Sequence, residues 1–173
     1  MKYIFTFLLI VTTSILGFCQ ATQTSFPDSG FEANFPANPT LEKNQLTTKF
    51  GKIDYTLYMS EGDDYMIMLT ESKYPAEVIS KLGEIGTQGI IDGAKKGSIK
   101  VIESQLEGKF VTIKDENIKY LDKYIGNNLE GDVDDVAIIS TSFIKDNQMY
   151  QIIVFGNVTS KKVLDFIASF KLL

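Results

Sequence analysis

The stretch Gln148-Met-Tyr-Gln-Ile-Ile-Val-Phe155 is the part of the sequence that decides the fold. Side chains of a strand alternate between its two faces, and here both faces are apolar. One face carries Tyr150, Ile152 and Val154, and the other carries Met149, Ile153 and Phe155. A strand of this kind lies in the middle of a sheet with a layer packed on each side. The stretch therefore predicts a central strand that is covered above and below.

The segments on either side of this stretch extend the pattern. Residues Val136 to Lys145 form a second apolar strand, and Asp146-Asn147 is typical of a two-residue hairpin turn. Downstream, Ser160 is a suitable N-cap for a closing helix. Its apolar residues follow the helical spacing i, i+3, i+4, i+7: Val163, Phe166, Ile167 and Phe170. The last forty residues thus predict a hairpin followed by a helix.

The earlier part of the chain predicts strands, then helices, then strands. The strands are a short edge strand at Phe31–Phe35, a polar one at Leu41–Lys49, one from Gly51 with Ile53, Tyr55, Leu57 and Met59 on one face, and its hairpin partner at Tyr65–Glu71. Two helices follow, from Pro75 and from about Gln88 to Leu106, with Gly97 indicating close approach to a neighbouring backbone. Strands are then expected at Phe110–Ile113 and Ile118–Ile125, and an acidic loop at Gly126–Asp135. This order favours an α+β fold, an antiparallel sheet covered by helices.

The first twenty residues have the pattern of a secretory signal sequence. Lys2 gives a positive start, and an interrupted apolar stretch follows to Phe18, shorter than the roughly 20 residues of a membrane span. The alternatives are a first helix of the fold or a retained anchor. We predict a signal peptide over 1–20, a flexible mature leader over 21–30 and a single α+β domain over 31–173.

Cys19 is the only cysteine and lies where the signal would be cut. Small residues favour cleavage between Cys19 and Gln20 or between Ala21 and Thr22, which would give a soluble secreted or periplasmic protein. The rival is lipidation of Cys19, since Leu16–Cys19 resembles a bacterial lipobox. Phe18, however, occupies the position that normally holds Gly, Ala or Ser. Soluble export is therefore favoured, with membrane attachment only if Cys19 is lipidated.

The composition argues against several classes of function. The chain contains no His, every basic residue is Lys, and the net charge is −5. Arg binds phosphate through two N–H groups of its planar guanidinium, and the chain has no Arg. This absence and the acidic net charge argue against nucleic-acid binding. With no His and no cysteine after Cys19, the common general bases, nucleophiles and zinc ligands are missing. We therefore expect no enzyme activity and no cofactor, apart from a weak calcium site.

Several short phrases resemble the Mog1/PsbP-like fold, and in particular small exported bacterial proteins of unassigned function within it. The phrases are Phe31-Glu-Ala-Asn-Phe-Pro36, Gly51-Lys-Ile-Asp-Tyr55, Asp92-Gly-Ala-Lys-Lys-Gly97, Met149-Tyr-Gln-Ile-Ile-Val154 and Phe166-Ile-Ala-Ser-Phe-Lys171. Together they span nearly the whole mature chain, and the match weakens over Ile118–Gly126. The resemblance implies an α/β/α sandwich and a non-enzymatic accessory role. No binding residues are carried over from the better-known members.

The acidic loops are the sharpest chemical feature of the sequence. Glu130, Asp132, Asp134 and Asp135 place four carboxylates in one predicted loop, and Glu61–Asp64 places three in another. Calcium takes oxygen ligands from such loops, so the Glu130–Asp135 loop is a candidate weak calcium site or a carboxylate site of an enzyme. The alternative is a solvated turn, because neither loop has the spacing of a known calcium motif.

Tyrosines are the second candidate feature, because a tyrosine ring buries area while its hydroxyl stays in water. Tyr58 and Tyr124 are selected as exposed contact residues, and ordinary sheet packing is the alternative. The leading functional hypothesis is an exported, non-enzymatic accessory domain. Its partner would be an envelope protein at a sheet edge, or a small apolar ligand in a groove between helix and sheet. A protein anchored through a lipid on Cys19 is the runner-up.

Overall fold

A seven-stranded antiparallel sheet forms the middle layer of the computed structural model, which describes residues 22–48 and 51–173. The spatial order of its strands is β3-β4-β5-β9-β8-β7-β6. The bounds are β3 Thr40–Thr48, β4 Gly51–Glu61, β5 Tyr65–Lys73, β6 Val111–Tyr120, β7 Tyr124–Val133, β8 Val136–Lys145 and β9 Gln148–Gly156. The hairpin of β8 and β9 lies at the centre as predicted, and Asp146 in its turn has a φ of 55°. Residues 149–155 of β9 are all buried, which confirms the prediction of a strand covered on both faces.

A second, three-stranded sheet covers part of one face. It consists of β1 (Thr22–Phe26), β2 (Phe31–Phe35) and β10 (Lys171–Leu172), with β2 in the middle. Two predictions are corrected here. Phe31–Phe35 is not an edge strand, because it pairs with a strand on each side. The predicted flexible leader over 21–30 contains β1 and a 3-10 turn at Pro27–Ser29, since Phe26 packs on Phe31 and so joins the core.

The closing helix α2 (Lys161–Ser169) lies beside the small sheet on the same face. Ser160 caps it as predicted, its hydroxyl accepting a hydrogen bond from the Val163 amide. Phe166 and Phe170 of this region meet the rings of β2 and β9. The result is an aromatic core between the small sheet, α2 and the large sheet, worth about 2–3 kcal/mol of burial free energy for each enclosed ring.

The long helix α1 (Ala76–Gln105) covers the opposite face of the large sheet. It is broken at Gly83, whose φ of 60° and ψ of −169° are not helical, so the prediction of two successive helices is confirmed. Ile91 and Ile102 are buried as predicted, whereas Val101 is half exposed. Gly97 makes no close approach to a neighbour: a Cβ placed there would meet nothing within 4 Å. The prediction for Gly97 is therefore wrong.

The segment predicted as an acidic loop over Gly126–Asp135 is a strand. β7 runs from Tyr124 to Val133 and pairs with β6 and β8, and β6 is one continuous strand with a bulge near Thr112. The glycines of β7 pack against atoms of neighbouring strands and do not form turns, since a Cβ on Gly126 would lie 2.5 Å from the Ser142 carbonyl oxygen. The turn itself is confined to Asp134 and Asp135, with φ of 47° and 68°. Glycine-rich composition here reflects close packing within a sheet.

Candidate ligand-binding groove

Helix α1 is held over one half of the large sheet. The Lys95 ammonium lies 2.9 Å from the Asp115 carboxylate on β6, and the Gln88 side-chain amide donates to Asn117 at 3.1 Å. Ile91 and Ile102 fill the space beneath, and α1 packs on β7 and β8. These contacts hold the helix over β6, β7 and β8. Its other side therefore stands away from β3, β4 and β5.

The space left beside α1 is a groove with a volume of about 540 Å³. Its floor is the inner face of β3, β4, β5 and β9, and its wall is one side of α1. The side chains that define it are largely apolar: Leu46, Ile53, Tyr55, Leu57, Met68, Ile90, Ala94, Val101, Ile102, Met149, Ile153 and Phe155. Its volume falls in the range of about 300–1,000 Å³ that is typical of small-molecule sites.

Three glycines form part of the helix wall of the groove. Gly89, Gly93 and Gly97 recur every four residues, which places them on one side of α1. A Cβ placed on any of them would meet nothing within 4 Å. Glycine in a helix costs about 1 kcal/mol relative to alanine, so this wall is kept bare at a cost in stability. The spacing is visible in the sequence, but it was not recognised as one feature.

The β4 side chains on the groove floor are those predicted to form the inner face of that strand. Ile53 is buried, whereas Tyr55 and Leu57 in the groove lining are only half buried because α1 does not cover them; Met59 on the same face is half buried outside the lining. The opposite face of β4, carrying Thr56, Tyr58 and Ser60, is the better covered one because the small sheet packs there. The predicted apolar face thus belongs to the groove.

The polar side chains of the groove lining are all uncharged: Thr48, Tyr55, Thr70, Ser72, Tyr74, Ser98, Gln105 and Gln151. Ser98 on α1 donates at 3.0 Å to Gln151 on β9, whose amide donates in turn to Ser142. The Ser72 side chain on β5 is 7% exposed and forms no hydrogen bond with any residue in the described ranges. Among the described residues that line the groove, none carries a charge. The groove therefore suits an uncharged, largely apolar molecule, and Ser72 is one of the neutral groups to which its polar end could hydrogen bond.

A buried polar cluster lies on the opposite face of the sheet. Glu71 is 7% exposed, and burial raises its pKa, while a hydrogen bond from the Gln148 amide at 3.0 Å partly opposes that rise. The Tyr150 hydroxyl donates to the Ser29 carbonyl at 2.9 Å; burial, and then the neighbouring Glu71, raise the pKa of Tyr150 to about 12. These groups join the turn at Ser29 to the central strands and face no groove.

Tyr58, predicted as an exposed contact residue, is buried in the aromatic core. It is 3% exposed, its ring lies against Phe26, Phe31 and Phe35, and its hydroxyl is 2.8 Å from the Ser29 hydroxyl. The prediction is wrong because the small sheet packs on this face of β4. Tyr124 is half buried against the same core, with the Lys123 ammonium 5.1 Å from its ring centre.

The four predicted calcium ligands do not form one site. Glu130 and Asp132 belong to β7, and Asp134 and Asp135 form the turn after it. Glu130 lies 3.7 Å from the Lys114 ammonium. Within residues 22–48 and 51–173, no group of three or more His, Cys, Asp or Glu residues is arranged to hold a metal ion. The loop that would have gathered these carboxylates is replaced by an extended strand.

Two further predictions concern the start of the chain. The signal sequence over 1–20, its cleavage sites near Cys19–Gln20 and Ala21–Thr22, and lipidation of Cys19 lie wholly or partly outside the described residues. Over the ranges that are described, no helix combines the length and hydropathy needed to cross a membrane.

The architecture and the groove define an α+β protein with a central antiparallel sheet between two covering layers. No protein-family model and no curated protein sequence matches the chain. A similar solved structure is the solution structure of cyanobacterial PsbP (CyanoP) from Synechocystis sp. PCC 6803. The match has a TM-score of 0.58 at 14% identity and covers 91% of this chain and 95% of that one. The chain therefore has a PsbP-like fold, which confirms both the α+β class predicted from the order of elements and the resemblance seen in the short phrases.

Proposed function

We propose that the chain is an exported binding domain without catalytic activity, whose groove between α1 and the large sheet takes up a small apolar ligand. The observation that carries this proposal is the groove itself, about 540 Å³ with uncharged walls. Buried apolar surface on both partners would supply the binding free energy, about 25 cal/mol for each Å² removed from water. Export enters the proposal through the signal pattern of residues 1–20.

The glycine wall gives the proposal a selective test. In a Gly93→Leu/Gly97→Leu variant, two leucines enter the groove, where there is open space for them. The matched control is Lys96→Leu/Lys100→Leu, which puts the same side chains on α1 outside the groove lining. The probe is Nile red, a neutral apolar dye, titrated by fluorescence against each folded protein.

Wild type and the lysine variant are expected to bind the dye, and the glycine variant to bind at least tenfold more weakly. Thermal unfolding of all three proteins checks that they are folded. Absence of dye binding to the wild type, or equal binding by the glycine variant, would contradict the proposal.

A second candidate function is contact with an envelope protein through the edge of the large sheet. The observation that favours it is the outer strand β6, where Val111 and Ile113 are 57% and 71% exposed. An edge strand with exposed apolar side chains offers unpaired backbone groups to another strand. Cross-linking of the mature domain in envelope extracts tests this: a partner should be captured by wild type and lost in Ile113→Lys. Capture that is unchanged in Ile113→Lys would rule out this edge.

The lipid-anchored alternative depends on Cys19 and leaves the groove unchanged. Growth with a labelled fatty acid distinguishes the two routes of export. Label on the wild-type protein that is absent from Cys19→Ala would establish the anchor. A wild-type protein that carries no label would support the soluble route.

A further inference from the structure

The shape of the groove restricts the kind of molecule that can fill it. Its lining follows α1 from Gly89 to Gln105. At 1.5 Å per residue this run is about 24 Å long. A lipid chain that reaches half-way through a bilayer core of roughly 30 Å is about 15 Å long, so one extended chain fits within the groove.

The walls suit a flexible hydrocarbon. Met68 and Met149 lie on the floor, and unbranched thioether side chains adapt to the shape of a neighbour. Gly89, Gly93 and Gly97 leave open space beside about 12 Å of α1, next to the apolar lining residues of the same helix. Ser98 donates a hydrogen bond to Gln151, and the Gln151 amide donates to Ser142, so both side chains have protein partners and need none from a chain passing over them.

Ser72 indicates where the polar end of the ligand lies in the groove. Ser72 is 7% exposed as a residue and lines the groove beside Tyr55 and Met149, with its hydroxyl open to the groove and without a hydrogen bond to any described residue. It lies toward the Ile90 end of the groove, and Ile102 and Phe155 lie toward the other end. An oxygen atom of the ligand at Ser72 would satisfy the hydroxyl.

The charge of the walls decides which oxygen group is favoured. No described residue in the lining is cationic. A carboxylate taken out of water beside Ser72 would lose its hydration without gaining a counter-ion. A neutral alcohol or ester oxygen loses far less and still hydrogen bonds to the Ser72 hydroxyl.

We infer that the groove binds one extended alkyl chain with a neutral oxygen at its end, lying along α1 with the oxygen at Ser72 and the tail toward Phe155. This inference rests on the proposed function, because it assigns the ligand class of the same groove. It commits to a single-chain molecule, because one chain laid lengthwise follows the run of lining residues along α1.

The test is displacement of Nile red by 1-alkanols from octanol to tetradecanol. Affinity is expected to rise about fourfold for each added methylene across the whole series, the factor that corresponds to burial of one such group, because every chain in it is shorter than the groove. Fatty acids of matched length, measured well above their pKa, are expected to bind more weakly than the alkanols. Ser72→Ala should weaken alkanol binding about two- to tenfold and leave the binding of an alkane unchanged.

The outcomes separate this inference from the proposed function. If Nile red binds and the Gly93→Leu/Gly97→Leu variant abolishes binding, the groove is a ligand site whatever the alkanols do. An affinity that does not increase with chain length, or carboxylates that bind better than alkanols, would then overturn the inference alone. An equal loss of alkane and alkanol binding in Ser72→Ala would overturn the placement of the oxygen.

Discussion

The Lys95 ammonium on α1 lies 2.9 Å from both carboxylate oxygens of Asp115 on β6. Asp115 also accepts a hydrogen bond at 2.8 Å from Asn127 on the next strand. The pair therefore ties the helix to one side of the sheet through two strands. Because the helix is tied there, the groove opens on its other side.

The first prediction concerns the pH dependence of this contact. The Asn127 hydrogen bond, and then Lys95, lower the pKa of Asp115. A carboxyl whose pKa is lower in the folded state stabilises the fold above its unfolded pKa of about 3.9, and this contribution is lost as the pH falls through the folded value. Asp115→Asn should lower the unfolding free energy at pH 7 by up to about 1 kcal/mol, because the pair is partly exposed. Urea unfolding at pH 7 and at about pH 2.5 measures the effect, which should be smaller at the lower pH. An equal difference at both pH values would contradict the assignment.

Glu71 is expected to show the opposite dependence. Burial raises its pKa, so the folded protein binds this proton more tightly than the unfolded chain does. The resulting stabilisation is complete below the unfolded pKa and is lost as the pH rises through the folded value. Glu71→Gln should therefore raise the unfolding free energy at pH 7, with the gain shrinking toward acid pH. Glu61→Gln, at an exposed position on β4, is the control and should have little effect. Destabilisation by Glu71→Gln at pH 7 would show that the carboxylate is needed.

Replacing a groove glycine by alanine should stabilise the protein. Replacing a glycine that packs against backbone should destabilise it. Gly93→Ala places a methyl group in open space on a helix and should add about 1 kcal/mol. Gly156→Ala should destabilise by more than that, because its φ is +88° and its Cβ would lie 2.3 Å from the Asp64 carbonyl oxygen. Denaturant unfolding of both variants gives the comparison. Loss of stability in Gly93→Ala would mean that the space beside α1 is filled.

Tyr58 should behave as a core residue. Tyr58→Ala removes a buried ring that contacts Phe26, Phe31 and Phe35, at a cost of about 3–5 kcal/mol. Tyr58→Phe keeps the ring and loses only the hydrogen bond to Ser29, at about 1 kcal/mol. Unfolding free energies of the two variants should differ accordingly. A Tyr58→Ala protein as stable as Tyr58→Phe would contradict the placement of this ring.

The parts of the fold that the sequence predicted well are those whose pattern is local. The two apolar faces of β9 and the spacing of Val163, Phe166 and Phe170 in and just after α2 each identify an element without knowledge of its neighbours. β7 was missed because its polar and acidic residues are typical of a loop, and its two glycines, Gly126 and Gly131, do not favour a strand. In the sheet both are needed where a neighbouring atom comes close.

The candidate site was harder to predict because it is formed by what packs on each face. The alternation of β4 shows that Leu57 and Tyr58 lie on opposite faces of the strand. It does not show which of the two faces the small sheet covers. Gly89, Gly93 and Gly97 show their four-residue spacing in the sequence. That these glycines line a groove follows only from the position of the helix, which the polar contacts of Lys95 and Gln88 hold over one side of the sheet.

The central claim is that an apolar molecule occupies the groove beside α1. The most direct measurement is a nuclear magnetic resonance titration of the mature domain with 1-dodecanol, following methyl signals. Signals of Ile90, Met149 and Ile153 in the groove are expected to shift with a common saturation curve, while those of Val111 and Leu164, exposed elsewhere, stay in place. Shifts confined to Val111 or Leu164, or no saturable shift in the groove, would contradict the account.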